Sequence, residues 1–207
     1  MKTGFWRTAV LLTGSIFVLA ASAADPIREW GVGAQAYTIG LGDMDVYGWG
    51  IGAEVQNRFW ATDAMGWAFS LGLAQWETSS QSSNWGAPVS GSLRLFPLGA
   101  SLLLRTPGTA STRYVAEAGL RYVIADSDVR LQTAGGRQNV SIDNGVVGAL
   151  GLDWEKTMGN SVFFVGASYQ FDLVAAEAKW SDGLKSNRLR DNDLEALVFR
   201  TGFRRSF

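Results

Sequence analysis

Residues 47–59 run Tyr, Gly, Trp, Gly, Ile, Gly, Ala, Glu, Val, Gln, Asn, Arg, Phe, and their side chains alternate in kind at every step. Tyr47, Trp49, Ile51, Ala53, Val55 and Phe59 fall on one parity; Gly48, Gly50, Gly52, Glu54, Gln56 and Arg58 fall on the other. A period of two is the period of an extended strand, whose side chains point alternately to opposite faces. A greasy face and a polar face on one strand fit two architectures. In a soluble sandwich the greasy face is the core; in a membrane barrel it meets lipid and the polar face lines the lumen. One strand cannot separate them.

The pattern recurs. Trp67, Phe69, Leu71 and Leu73 alternate with Ala68, Ser70, Gly72 and Ala74. Tyr114, Ala116, Ala118, Leu120, Tyr122 and Ile124 alternate with Glu117, Gly119 and Arg121. Phe163, Val165, Ala167, Tyr169, Phe171 and Leu173 alternate with Gly166, Ser168, Gln170 and Asp172. Leu197, Phe199 and Phe203 alternate with Val198, Arg200, Gly202 and Arg204. Weaker runs cover residues 30–41, 87–106 and 145–154. The reading is eight strands, each near the ~9–11 residues that a tilted transmembrane strand needs.

The connections sort by length. Residues 61–65, 106–112 and 156–161 make short turns, whereas 77–87, 126–144 and 174–193 read as long polar loops; 42–45 is brief. Short turns at one end and long loops at the other are the asymmetry of a membrane barrel. A sandwich has no reason to sort its connections so; the alternatives to a membrane barrel are a periplasmic β-sandwich and a lipocalin-like barrel. Aromatics also gather at strand ends: Trp30, Phe59, Trp67, Tyr114, Trp154, Phe163 and Phe207 at the turn end, Tyr47, Trp49, Tyr122 and Tyr169 at the other. Two girdles suit two membrane interfaces. The fold class expected is all-β, an eight-stranded antiparallel up-and-down transmembrane barrel.

Residues 1–23 read as a cleaved signal peptide and 24–207 as the barrel domain. Lys2 and Arg7 are basic, 8–19 is apolar, and Ala21, Ser22 and Ala23 form a small-residue cleavage site. That apolar run is shorter than the ~20 residues of a spanning helix. Cysteine is absent, which excludes disulfides, a thiolate metal site and a lipid-anchored cysteine. Removing the two basic residues of the signal leaves 16 basic residues against 19 acidic, a net charge of −3, so no nucleic-acid partner is expected. Glycine 25 and proline 4 suit curved strands with a crowded interior.

One segment is irregular. Arg94, Leu95, Phe96, Pro97, Leu98 and Gly99 place a residue without an N–H inside a strand. A one-residue bulge there would turn Leu93, Leu95, Leu102 and Leu104 all to lipid; a turn would leave 101–105 as an extension.

The terminal Phe199, Phe203 and Phe207, the 94–99 segment and the run Ala118, Gly119, Leu120, Arg121, Tyr122 resemble the small outer-membrane β-barrels of Gram-negative bacteria. That class includes the OmpA transmembrane domain and the OmpX/Ail-type proteins. The resemblance departs at Arg205, where an apolar residue is usual. It implies location in the bacterial outer membrane, contact with membrane lipid and lipopolysaccharide, and insertion by the barrel-assembly machinery, with Phe199, Phe203 and Phe207 as the assembly signal. The class holds adhesins, structural proteins, pores and enzymes, so the fold leaves function open.

Histidine is absent. Ser-His-Asp triads and histidine metal sites are therefore excluded, and no catalytic residue, cofactor or metal is expected. The charged residues on the inward parity are instead expected to neutralise one another in a narrow lumen: Glu54, Glu117, Asp153 and Asp172 against Arg58, Arg94, Arg121, Arg200 and Arg204. The glycines of 31–33 and 48–52 have period two and lack the helix-opening context of a phosphate loop. Trp85 in one loop, and Lys179, Trp180, Lys185, Arg188 and Arg190 in another, form a candidate surface for an anionic sugar or a protein partner. The function expected is a non-enzymatic barrel that is structural or binds through its loops; the alternative is a small passive pore for small or hydrophobic solutes.

Overall fold

The computed structural model describes residues 27–39, 48–80, 87–106, 111–133, 136–174, 176–181, 186–188 and 194–207. Its strands are β1 (Ile27–Ile39), β2 (Trp49–Trp60), β3 (Met65–Ser80), β4 (Val89–Arg105), β5 (Thr112–Thr133), β6 (Gly136–Ile142), β7 (Gly145–Met158), β8 (Ser161–Val174), β9 (Ala178–Ser181), β10 (Ser186–Arg188) and β11 (Ala196–Ser206). Eight of them close a barrel in the order β1, β2, β3, β4, β5, β7, β8, β11, with β11 returning to β1. All pairs are antiparallel. Closure satisfies every strand edge, which a sheet in lipid requires.

Alternation along each strand sets what faces out. Ile51, Leu71, Leu73, Leu102, Leu120, Leu150, Val165 and Phe199 lie exposed around the wall. That is the reverse of a soluble protein and fits an apolar belt bathed in lipid. Rings pair across strands at its lower edge: Phe59 stacks on Trp67 at 5.9 Å and Phe163 packs on Phe203 at 5.3 Å.

Proline 97 makes neither a bulge nor a turn. β4 keeps one register with β5 from Val89↔Leu131 to Arg105↔Val115. On the β3 side the ladder passes from Leu71↔Leu98 to Ala74↔Leu95, interrupted opposite Phe96 and Pro97. The missing donor is thus absorbed by a local gap, and the Pro97 ring lies inward over Gly72, where a Cβ would meet Pro97 Cγ at 2.9 Å. With parity unbroken, Leu102 and Leu104 face lipid, but Leu93 and Leu95 are buried inside.

The segment expected as one long loop, 126–144, is mostly strand. β5 runs on to Thr133 and the chain returns as β6, pairing Val129↔Val140 through Thr133↔Gly136. β7 then continues downward on the same strand, from Val123↔Gly145 to Thr112↔Lys156. The two ladders differ by one residue in register, and the extra residue is taken up at Asp143 and Asn144. Asn144 fixes that step: its Oδ1 accepts from Ala125 N at 3.1 Å and its Nδ2 donates to Tyr122 OH at 3.0 Å. A one-residue step exchanges the two faces. Hence Val140 and Ile142 point inward on even numbers, whereas Val147 and Ala149 do so on odd ones. β6, β9 and β10 form a small sheet that carries the wall beyond the barrel.

Candidate functional site

The lumen holds most of the polar chemistry of the described residues, and it is filled from the turn end to the loop end. At the turn end, Trp60, Ala68, Leu103 and Val115 form a small apolar base. Arg105 lies over the Trp60 ring at 4.0 Å, and its Nε donates to Asp63 O at 2.5 Å. Trp60 continues the inward parity of β2 beyond Arg58, so a polar-looking face ends in an indole.

Around and above this base, six arginines interleave with five carboxylates. Arg58 donates to Asp153 at 2.8 Å and to Glu155 at 2.7 Å. Arg204 meets the same two carboxylates at 2.9 and 2.6 Å. Arg200 spans Asp153 at 2.7 Å and Glu117 at 2.6 Å. Arg121 stands 3.3 Å from Glu54 and 3.6 Å from Glu117. At the lower end Arg113 joins Glu155 at 2.9 Å to Glu29 at 3.3 Å, with Arg105 4.0 Å from Glu29. The side chains of Arg58, Asp153 and Glu155 are 0 % exposed, so no water screens these pairs and each charge depends on its partner. Neutral donors and acceptors complete the layer: Ser101 donates to Glu117 at 2.8 Å, and Arg58 Nε donates to Gln56 at 2.6 Å.

Glycines make the room. A Cβ on Gly31 would press on Arg204 Cγ, and one on Gly99 would lie 3.2 Å from Arg121 Cγ. The long side chains cross the lumen over these bare backbones, as a narrow barrel interior demands.

Above the charged layer, toward the loop end, the filling is apolar. Tyr37, Trp76, Leu93, Leu95, Val129, Leu131, Val140, Ile142, Val147, Leu194 and Val198 form one buried cluster. Tyr37 sits at its floor, edge-on to Trp76 at 5.2 Å and donating its hydroxyl to Gln35. The β5–β6 hairpin supplies Val129, Leu131, Val140 and Ile142, so the extension over the mouth is also its stopper.

Of the residues expected in the charge network, the structure brings together Glu54, Arg58, Glu117, Arg121, Asp153, Arg200 and Arg204. Arg94 is a correction. It lies on the outward parity of β4, half exposed, 4.0 Å from exposed Asp126. The bulge inferred at Pro97 is absent, so its parity is opposite to that expected. Asp172 keeps the expected inward parity, and its Oδ2 accepts from Leu194 N at 2.9 Å, fastening the return of the last loop. Sequence reasoning missed Glu29, Arg105, Arg113 and Glu155. Carrying each strand's parity two residues further down would have found them.

Phe199, Phe203 and Phe207 all face outward, at 44, 53 and 78 % exposure. Of the candidate surface loop, Trp85, Lys185 and Arg190 lie outside the described residues, as do the expected signal peptide and Tyr47. Arg188 is placed only by its backbone, opposite Lys179. Lys179 and Trp180 are not free handles. Lys179 pairs with Asp143 and, at 3.5 Å, with Glu177, and Trp180 packs against the upper apolar cluster.

No protein-family model matches the sequence, and no curated protein matches it. Solved structures do match in fold. The outer membrane protein OprG from Pseudomonas aeruginosa superposes with a TM-score of 0.67 at 12% identity, over 89% of this chain and 97% of that one. The outer membrane protein AlkL, determined in lipid bilayers, gives 0.55 at 13% identity, over 90% and 92% of the two chains. Neisserial surface protein A gives 0.53 at 15% identity, over 87% and 97%. Together with the apolar belt and the closed eight-stranded wall, these likenesses show that the chain has the fold of the small outer-membrane β-barrels.

Proposed function

We propose that this protein is a sealed, non-enzymatic outer-membrane barrel that works as a structural or surface-binding element, presenting its loop end to the exterior. The single observation behind this reading is the filled lumen: a charge-neutralising layer under an apolar one. An eight-stranded barrel is just wide enough for its interior to be occupied by side chains. The carboxylates that could serve as acid and base are each held by arginine rather than open to a substrate. The resemblance to the outer-membrane class supports export by the signal at 1–23, insertion by the barrel-assembly machinery and contact with lipopolysaccharide at the loop end.

The test is electrical. The mature chain reconstituted in planar bilayers should give no steady unitary conductance. A sustained ohmic current from the folded, heat-modifiable form would overturn the sealed reading and establish the small passive pore in its place.

A further inference from the structure

The upper apolar cluster is built from two kinds of segment. One is the wall itself: Ala74, Trp76, Leu93 and Val129 lie on β3, β4 and β5. The other is the connection that follows β8. It seats Ala176, Ala178 and Leu194 in the same cluster, at 0, 1 and 3 % exposure, with Trp180 partly buried beside them.

The two kinds are attached very differently. Ala74 is laddered on both sides, opposite Gly52 of β2 and Leu95 of β4, within strands of 12, 16 and 17 residues. Among the described residues, β9 meets the barrel at two ladder positions, Ser141↔Lys179 and Ile142↔Ala178, and through Asp143 N, which donates to Glu177 O at 3.0 Å. β10 pairs, among the described residues, with β9 alone, so it adds no hold on the wall. Leu194 donates its N–H to Asp172 Oδ2 at 2.9 Å and lies over bare Gly145, where a Cβ would come 2.7 Å from Leu194 Cδ1. Lys179 pairs with Asp143 and Glu177, but the three side chains are 39, 45 and 43 % exposed, so water screens both pairs. Ala176 and Ala178 each bury a single methyl, which adds little apolar area. A short ladder, screened ion pairs and little buried apolar surface mark a segment that opens while the rest stays folded.

We propose that β9, with Ala176 and Leu194, is a releasable strap over the barrel mouth, held closed by Lys179. It lifts from an intact barrel and reseats. Lifted, it uncovers Ile142 and Gly145, the residues it directly faces, and gives the loop end an apolar seat. The arginine–carboxylate layer takes no part in the motion, because its members stand on β1, β2, β4, β5, β7 and β11. The strap therefore moves in a barrel that stays electrically silent.

The chain has no cysteine, so a single introduced thiol reports on one place. A178C and A74C are the same substitution at two positions of the same cluster, each 1 % exposed. Both are refolded as the mature chain, checked by heat-modifiable mobility, and treated under native conditions with a water-soluble maleimide. A178C should label at least about tenfold faster than A74C, because only the strap opens without the wall. Adding K179Q should speed labelling of A178C by about two- to fivefold, the worth of screened ion pairs, and leave A74C unchanged. Should A178C fold poorly, A176C on the same strap takes its place. Equal labelling of the two positions would overturn the strap, since both would then open only with the barrel. So would a K179Q change that leaves A178C unaltered, or one that speeds both positions alike.

Discussion

Arg200 Nη2 donates to Glu117 Oε2 at 2.6 Å across the lumen, joining residues 83 positions apart in the chain. The same carboxylate accepts from Ser101 and stands 3.6 Å from Arg121. One side chain on β5 thus holds together β4, β5 and β11, and its charge answers two guanidiniums with almost no exposure to water.

Glu117→Ala should therefore leave cations without their partner in a dry interior, the costly half of any buried ion pair. The expected loss is ~3–5 kcal/mol, read by urea unfolding of the barrel refolded in detergent. Asp126→Ala, which breaks an exposed 4.0 Å pair with Arg94, should cost under ~1 kcal/mol. Equal small losses in both variants would mean that water reaches the lumen.

Gly50 lies directly beneath the Trp76 indole, and a Cβ there would overlap the ring. Gly50→Leu should destabilise by ~1–3 kcal/mol through overpacking. In the double variant with Trp76→Leu the two losses should be less than additive, because the second change removes the atoms that clash. Strict additivity in a double-mutant cycle would show that the glycine serves the backbone and not the ring.

Which parts of this were legible follows from parity. β2, β5 below Val123, β8 and β11 keep one alternation from end to end, so Glu54, Arg58, Glu117, Arg121, Arg200 and Arg204 could be placed inside from the sequence alone. Arg94 could not. Its side depends on whether Pro97 shifts the register, and a local gap in one ladder leaves no mark in the sequence. The step at Asp143 and Asn144 had the opposite effect: it inverts the alternation between β6 and β7, so β6 and the upper part of β5 read as a loop apart from the strand at 145–154. Leu93 and Leu95 went with Arg94, but Trp60 and Trp76 were missed for another reason. A lumen was expected to be polar, yet a sealed one can be closed by apolar packing as well as by ion pairs.

Phe207 is the most exposed of the large apolar residues described and rests on β1 through a single backbone bond, Phe207 N to Arg28 O. It therefore contributes little to the finished barrel. If it acts as an assembly signal, its deletion should sharply reduce the amount reaching the outer membrane in cells while barely changing the unfolding midpoint of protein refolded in vitro. Phe69→Ala, which removes a ring from the mid-wall, should do the reverse. Equal cellular yields of the two variants would refute a recognition role for the terminal phenylalanine.

Two layers of different chemistry close the lumen, and they can be opened separately. Trp76 is 1 % exposed and Leu93 0 % exposed in the upper cluster, while the arginine–carboxylate layer lies beneath Tyr37. Trp76→Ala removes a large buried ring and should cost ~3–5 kcal/mol as a cavity. It should nevertheless leave the barrel electrically silent, because the ion pairs below still fill the cross-section. Glu117→Ala should likewise stay silent under the intact apolar layer. Only the two changes together should raise steady conductance, provided the doubly altered barrel still folds by heat-modifiable mobility. A steady current from folded Trp76→Ala alone would show that the apolar cap is the only seal and that the charged layer beneath it is permeable to ions.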